Sequence, residues 1–182
     1  LFPSEFTENN ESIDINGLVW MGEPSYMKEQ IEQKIAENFT CIKLKIGAID
    51  FNKELELLQF IRTHFDAKTI EIRVDANGGF SPEEALSKLN QLHKFDLHSI
   101  EQPIRQHQIA EMKKLCQETP FPIALDEELI GVFSLEHKEE LLHKIKPQYI
   151  ILKPSLVGGF QGTHEWISLA EKHNIGWWIT SA

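Results

Sequence analysis

Seven short strand-like runs alternate with helical patterns along the sequence, and this alternation constrains the fold more than any other feature. The runs are "INGLVWM" (15–21), "CIKLKI" (41–46), "IEIRVD" (70–75), "LHSIEQ" (97–102), "IALDE" (123–127), "YIILKP" (149–154) and "GWWITSA" (176–182). Helical periodicity covers residues 27–39, 51–64, 82–93, 109–116, 135–145 and 160–173. Strands and helices that alternate at this spacing predict βαβ units, with right-handed crossovers and a parallel sheet.

Two α/β architectures fit such a pattern, an open doubly wound sheet and a TIM-type (β/α) barrel. The open fold usually carries a glycine-rich turn that binds a nucleotide phosphate. Neither a G-x-G-x-x-G sequence nor a Walker A sequence follows any of the seven runs. The sequence therefore favours the barrel.

An ionisable side chain stands at the end of five successive strand-like runs. These side chains are Lys45, Asp75, Glu101, Asp126 and Lys153, at intervals of about 25 to 30 residues. Because the carboxyl ends of all strands in a TIM barrel meet at one face, we expect the five groups to converge there. Each carboxylate alone has a simpler interpretation: Asp75 could open the "DANGG" turn, Asp126 could cap the next segment, and Glu101 could be a solvated strand end.

Three carboxylates at equivalent points of successive units indicate a site for a divalent cation. Without a cation, crowded carboxylates would raise one another's pKa and destabilise the fold. Ligands that are all oxygen favour Mg²⁺, or Mn²⁺ as a substitute, over zinc. The eight histidines contain no His-x-x-x-His or similar metal-binding pair, so we expect them to be surface or packing residues.

The segments "KLK", "VDAN", "IEQP", "ALDEE" and "LKPSLVGG", on the second to sixth strands, resemble the enolase superfamily over nearly the whole chain. Within it, "INGLVWMG" and "LKPSLVGG" resemble the o-succinylbenzoate synthases, in the muconate-lactonizing-like subgroup. The resemblance implies a modified (β/α)7β barrel preceded by a capping domain. Residues 1–182 would be a partial barrel domain, with a leading segment at 1–12 and seven strands within 13–182. The sequence starts without Met and ends on a strand-like run, so we expect a fragment without the capping domain and the last strand.

The resemblance also implies the roles of individual side chains. Asp75, Glu101 and Asp126 would bind Mg²⁺, and Lys45 and Lys153 would face each other across the substrate.

Further positions follow from the same resemblance. Asn77 and Ser181 would contact the substrate. Glu127 and Glu128 are alternatives to Asp126 as the third ligand, and we retain Asp126 because it ends the apolar run "PIAL".

The implied activity is that of a carbon–oxygen lyase (hydro-lyase) of menaquinone biosynthesis. It eliminates water in the syn sense from 2-succinyl-6-hydroxy-2,4-cyclohexadiene-1-carboxylate to give o-succinylbenzoate. Lys45 would remove the proton α to the carboxylate, and Mg²⁺ and a charged Lys153 would stabilise the negative charge that develops. Lys43, on the same strand face as Lys45, would lower the pKa of Lys45 toward about 7–8, which suits a base. Read alone, the two lysines of this strand could equally form a solvated face.

Other functions are compatible with the same residues. A dipeptide epimerase or an N-acylamino acid racemase of the same superfamily would also use two lysines on opposite faces, for 1,1-proton transfer, and a cycloisomerase is a further alternative. The lysine of "ILKPSLVGG" favours the synthase. An alternative of another class is a catalytically inactive barrel fragment.

Composition and charge restrict the partners. A formal net charge of −10 without a basic stripe argues against a nucleic-acid scaffold and favours a small-molecule substrate, which the family resemblance implies to be a carboxylate. No apolar run approaches the ~20 residues that span a bilayer, and "LFPSEFTENNES" lacks the regions of a signal peptide, so we expect a cytoplasmic enzyme without a membrane partner.

Cys41 and Cys116 provide neither a disulfide framework nor a metal site, and we expect packing roles. The oligomeric state does not follow from the sequence.

Overall fold

The computed structural model describes residues 4–9 and 11–182, and one parallel sheet of seven strands is its central element. The strands are β1 (Gly17–Val19), β2 (Cys41–Lys45), β3 (Glu71–Asp75), β4 (Ser99–Glu101), β5 (Ile123–Leu125), β6 (Tyr149–Leu152) and β7 (Gly176–Ile179). The helices are α1 (Glu5–Asn9), α2 (Pro24–Ala36), α3 (Phe51–His64), α4 (Pro82–Leu92), α5 (Ile109–Glu118), α6 (Leu135–Ile145) and α7 (Gly159–Lys172).

The strands lie in the order in which they occur along the chain, and each one pairs with the next in parallel. This confirms the predicted parallel βα architecture. The sheet curls as an incomplete (β/α)7β barrel, in which β1 and β7 are the edge strands of the part that the structure describes. The described residues contain no separate capping domain. The predicted division at residue 12 stays a prediction, and residues 1–3 and 10 of the leading segment lie outside the described residues.

The alternation of side chains in β2 explains how the sheet positions polar groups. Ile42 and Leu44 are buried in the hydrophobic core, and Lys43 and Lys45 point to the opposite face of the sheet. Neighbouring strands repeat this pattern, with Ile72, Val74, Ile100, Ile123 and Leu125 in the same core. The outer face of the sheet therefore packs against the helices, and its inner face carries polar side chains.

The helix boundaries follow local signals. The predicted segments 51–64 and 135–145 coincide with α3 and α6. Helix α2 begins earlier than predicted, at Pro24, since proline is tolerated at the first helical position, where no intrahelical N–H bond is needed. Helix α1 has no counterpart in the prediction because its five residues are too short to show a period.

None of the helices in the described part of the chain is both long and apolar enough to cross a bilayer. Both cysteines are free thiols, Cys116 buried and Cys41 half-buried.

Candidate active site

Three carboxylates meet at the carboxyl end of the sheet, and we call them the carboxylate cluster: Asp75, Glu101 and Asp126. Asp75 ends β3, Glu101 ends β4, and Asp126 directly follows β5. Strand register aligns the first two, because Asp75 pairs with Glu101 across β3 and β4. Their exposed fractions are 0%, 2% and 1%. The predicted convergence of these side chains at one end of the sheet is therefore present in the structure.

Three lysines surround the carboxylate cluster. Nζ of Lys45, at the end of β2, lies 2.5 Å from Oδ2 of Asp75. Nζ of Lys43 lies 2.9 Å from the same oxygen and also forms an ion pair with Glu101.

The third lysine approaches from the other side of the cluster. Lys153 directly follows β6 and forms an ion pair with Asp126. Since β2 and β6 lie on opposite sides of β3, β4 and β5, the cluster has a lysine on each flank.

Burial and charge act against each other in the cluster. Burial raises the pKa of Glu101 to about 9, and the negative charges of Asp75 and Asp126 add to this rise. Burial would also raise the pKa of Asp75, but Lys43 and Lys45 outweigh it and hold that pKa below its usual value. The site therefore needs cationic partners to keep its carboxylates charged.

The carboxylates in turn raise the pKa values of two of the lysines, Lys43 and Lys153. Burial would lower the pKa of Lys43, but Glu101 and Asp75 raise it above the usual value of a lysine. Lys153 behaves likewise, because Asp126 outweighs the effect of burial and raises its pKa.

The described residues contain no group of three or more His, Cys, Asp or Glu side chains placed so that they could hold a metal ion as they stand. The ammonium groups of Lys43, Lys45 and Lys153 form ion pairs with the three carboxylates. Two observations nevertheless fit a hard divalent cation. All the donors are carboxylate oxygens, and Oε1 of Glu101 is buried with no hydrogen-bond partner in the described part of the chain.

Asn77, predicted as a substrate contact, lies beside Lys45. Its Oδ1 accepts a hydrogen bond of 2.8 Å from Nζ of Lys45, and its Nδ2 donates one of 2.8 Å to Oε1 of Glu127. Its backbone has a φ of 43°, in the left-handed region that Asn tolerates better than most residues. Glu127, considered from sequence only as a metal ligand, thus orients the Asn77 amide.

Ser181, the other predicted substrate contact, lies elsewhere. It follows β7 and is exposed, and among the described residues it makes no hydrogen bond to the carboxylate cluster or to its lysines. Its side chain lines a separate cleft that includes Asp14 and Arg73. The predicted role of Ser181 stays a prediction.

Gln102 and Glu128 hold the loops next to the carboxylate cluster by hydrogen bonds to their backbone. These roles were not predicted from the sequence. Oε1 of Gln102 accepts hydrogen bonds from the backbone N–H of Asp126 at 3.2 Å and of Glu128 at 3.3 Å. Oε1 of Glu128, which is 1% exposed, accepts from the backbone N–H of His107 at 2.9 Å. Glu128 is thus engaged in holding two loops together. The only sequence signal was the adjacency of these residues to Glu101 and Asp126.

Trp20 is a further residue at this end of the sheet that the sequence did not single out. Its ring centroid lies 5.9 Å from Nζ of Lys45, and its side chain is 59% exposed. The side-chain amide of Gln30 holds its backbone through two hydrogen bonds of 3.0 Å, one to its N–H and one to its carbonyl. An exposed indole therefore borders the candidate site next to β2.

The comparisons with known proteins agree with this geometry. The chain is 58% identical over 181 residues to the o-succinylbenzoate synthase of Desulfotalea psychrophila, covering 100% of this chain and 49% of that protein. The crystal structure of MenC from the same organism superposes with a TM-score of 0.90 at 56% identity, covering 100% of this chain and 50% of that one. An L-Ala-D/L-Glu epimerase of Francisella tularensis subsp. novicida is 29% identical, covering 91% of this chain and 46% of that protein.

The chain spans about half the length of the curated relatives it matches. The resemblance that the strand-end motifs indicated is confirmed by these similarities. The family model described as enolase C-terminal domain-like matches residues 26–182, which include the carboxylate cluster and the three lysines. The chain therefore belongs to the enolase C-terminal domain-like family.

Proposed function

We propose that this chain is the barrel part of an o-succinylbenzoate synthase. Such an enzyme would eliminate water in the syn sense from 2-succinyl-6-hydroxy-2,4-cyclohexadiene-1-carboxylate, with Mg²⁺ as cofactor, in menaquinone biosynthesis. The observation that carries the proposal is the placement of Lys45 and Lys153 on opposite flanks of the carboxylate cluster. The 58% identity to an o-succinylbenzoate synthase supports the same reaction.

The two lysines divide the chemistry. Nζ of Lys45, as the neutral amine, takes the proton α to the substrate carboxylate, and the electrons of the C–H bond pass to that carboxylate and return to form the new ring double bond when the hydroxyl leaves. The C–O bond of the ring hydroxyl then breaks, and protonated Lys45 gives the proton to the departing oxygen, so that water leaves. Lys153 remains an ammonium group throughout and offsets the negative charge that develops on the substrate.

The cofactor would be held by the three carboxylates of the cluster. When bound, Mg²⁺ supplies positive charge where negative charge develops on the substrate carboxylate, and Mn²⁺ could substitute for it. Three carboxylates and one divalent cation leave one negative charge, which the neighbouring lysines offset together with the charge of the anionic substrate. The unpartnered Oε1 of Glu101 supports its role as a ligand.

The remaining assignments follow from the same function. Asn77 would orient Lys45, since its Oδ1 accepts the hydrogen bond from Nζ. Ser181 would contact the substrate. The enzyme would be cytoplasmic, its partner a small-molecule carboxylate, and residues 1–182 a partial barrel domain.

The proposal is tested with the complete protein, of which this chain is the barrel part. We expect it to convert the cyclohexadiene substrate to o-succinylbenzoate, measured by absorbance, with a kcat/KM in the enzymatic range of about 10⁴–10⁸ M⁻¹s⁻¹. Chelation with EDTA should abolish the activity, and added Mg²⁺ should restore it.

The rival activities are measured on the same preparation. L-Ala-L-Glu and N-succinylamino acids are incubated with it, and epimerisation is followed by polarimetry. Epimerisation without dehydration would assign an epimerase or racemase instead, and inactivity on all these substrates would contradict any catalytic function.

A further inference from the structure

Glu54, in the first turn of α3, is a buried carboxylate that the proposed mechanism does not use. Its exposed fraction is 1%, and its Oε2 has no hydrogen-bond partner among the described residues. Burying a carboxylate without a directly bound cation costs free energy. The contacts of its other oxygen, Oε1, therefore show what compensates for this burial.

The carboxylate faces the backbone of the turn that follows β2. Oε1 of Glu54 accepts a hydrogen bond of 2.6 Å from the N–H of Gly47. Burial raises the pKa of Glu54, while the backbone N–H groups of Gly47, Ile49 and Ala48 favour its charged form. Successive N–H groups that face one anion form a backbone nest, so Glu54 acts as the anion of this turn.

The same turn follows Lys45 closely in the chain, because Lys45 precedes Gly47 by two residues. Gly47 has a φ of 89°, and a Cβ atom there would lie 3.2 Å from the carbonyl oxygen of Ala76. A Cβ atom on Gly79 would lie 2.8 Å from the carbonyl oxygen of Gly47. The turn after β2 thus packs backbone against backbone on the turn after β3, which carries Asn77.

We propose that Glu54 is a positioning residue for Lys45: it anchors residues 47–49 and so fixes Nζ of Lys45 relative to Asp75 and Asn77. This inference rests on the proposed function, in which Lys45 is the base. Capping of α3 does not account for Glu54, because Oδ1 of Asp50 already accepts from the backbone N–H groups of Asn52 and Lys53.

The first test measures the anchor itself. Glu54→Gln and Glu54→Ala are made in the complete protein, with Glu56→Gln as a matched control, since Glu56 lies on the same helix with a side chain 65% exposed. Hydrogen exchange read by mass spectrometry should show the amides of 47–49 exchanging at least about tenfold faster in both Glu54 variants. Exchange at the rate of the control would overturn the proposal.

The second test measures the effect on the base. A displaced base slows proton removal without weakening substrate binding, so kcat should fall at least about tenfold in Glu54→Gln while KM stays within about twofold. Exchange with D₂O of the α-proton of a bound substrate analogue that lacks the leaving hydroxyl should fall by the same factor. If kcat and α-proton exchange in Glu54→Gln equal those of Glu56→Gln while the amides of 47–49 exchange faster, Glu54 stabilises the turn without positioning Lys45. That result would overturn the proposal.

The variants separate this inference from the proposed function. If Glu54→Ala does not fold, Glu54→Gln, which keeps the size and one acceptor oxygen, decides the outcome. If the unmodified protein fails to dehydrate the substrate, the proposed function fails, and with it the role of Glu54 in placing a base. An active unmodified protein with unaffected Glu54 variants contradicts the inference alone.

Discussion

Lys43 and Lys45 lie on the same face of β2 but have different partners. Lys43 pairs with Asp75 and Glu101, whereas Lys45 pairs with Asp75 and is hydrogen-bonded to Asn77. The charge of Lys43 is therefore shared between two carboxylates. The sequence-based expectation that Lys43 tunes Lys45 stays a prediction, and neutralisation of the cluster is the role that the contacts of Lys43 support.

The proposed roles of Lys45 and Lys153 can be separated by substitution. In the complete enzyme, Lys45→Ala and Lys153→Ala should each abolish dehydration, and loss of a general base alone typically costs about 10²–10⁴-fold in rate. If Lys45 is the base, as proposed, Lys45→Ala should show no exchange with D₂O of the α-proton of a bound substrate analogue that lacks the leaving hydroxyl, whereas Lys153→Arg, which keeps a cation, should retain exchange.

The control for these variants is Lys144→Ala, because Lys144 is an exposed lysine of α6 that should leave both rates unchanged. Exchange that survives in Lys45→Ala and vanishes in Lys153→Arg would reverse the two roles.

The residues predicted from the sequence and those missed differ in what they contact. Asp75, Glu101 and Asp126 were predicted together because strand ends recur at regular intervals and converge at one face. Gln102 and Glu54 were missed because each bonds backbone groups of a turn elsewhere in the chain. No spacing or period in a sequence reports such a partner, so these contacts appear only in the folded structure.

At the scale of elements, the helices and strands were largely predictable because their signals are local. Periodicity and N-terminal residues gave the bounds of α3 and α6. Strands are shorter than the predicted runs because pairing stops at the polar end residues: β5 ends at Leu125, and Asp126 turns away with a φ of −123° and a ψ of −79°. Those end residues are the ones that line the site.

The N-cap of α3 gives a stability prediction. Asp50 accepts hydrogen bonds of 3.0 Å and 3.3 Å from the backbone N–H groups of Asn52 and Lys53, so Asp50→Ala should lower the free energy of unfolding by about 1 kcal/mol. The matched control is Glu23→Ala, because Glu23 precedes α2 without a side-chain capping bond. Urea denaturation that shows equal effects for the two variants would contradict this account of the cap.

At the scale of the whole molecule, the parallel sheet brings distant parts of the chain to one site. The net charge of −10 would repel the proposed carboxylate substrate, so under the proposed function the lysines around the carboxylate cluster would supply the local attraction. The edge strands β1 and β7 lie within the predicted runs 15–21 and 176–182, whereas the length of the relatives could not be read from the sequence pattern. The predicted role of Ser181 rests on family resemblance alone, and in the structure this residue lines a separate cleft.

The central claim is that the carboxylate cluster holds the metal between two lysines that act on opposite faces of the substrate. A crystal structure of the complete protein with Mg²⁺ and o-succinylbenzoate tests it most directly. We predict one metal ion bonded to oxygens of Asp75, Glu101 and Asp126 and to the product carboxylate, with Lys45 and Lys153 on opposite sides of the ring. A metal ion held instead by Glu127 or Glu128, or both lysines on the same side of the ring, would contradict the account.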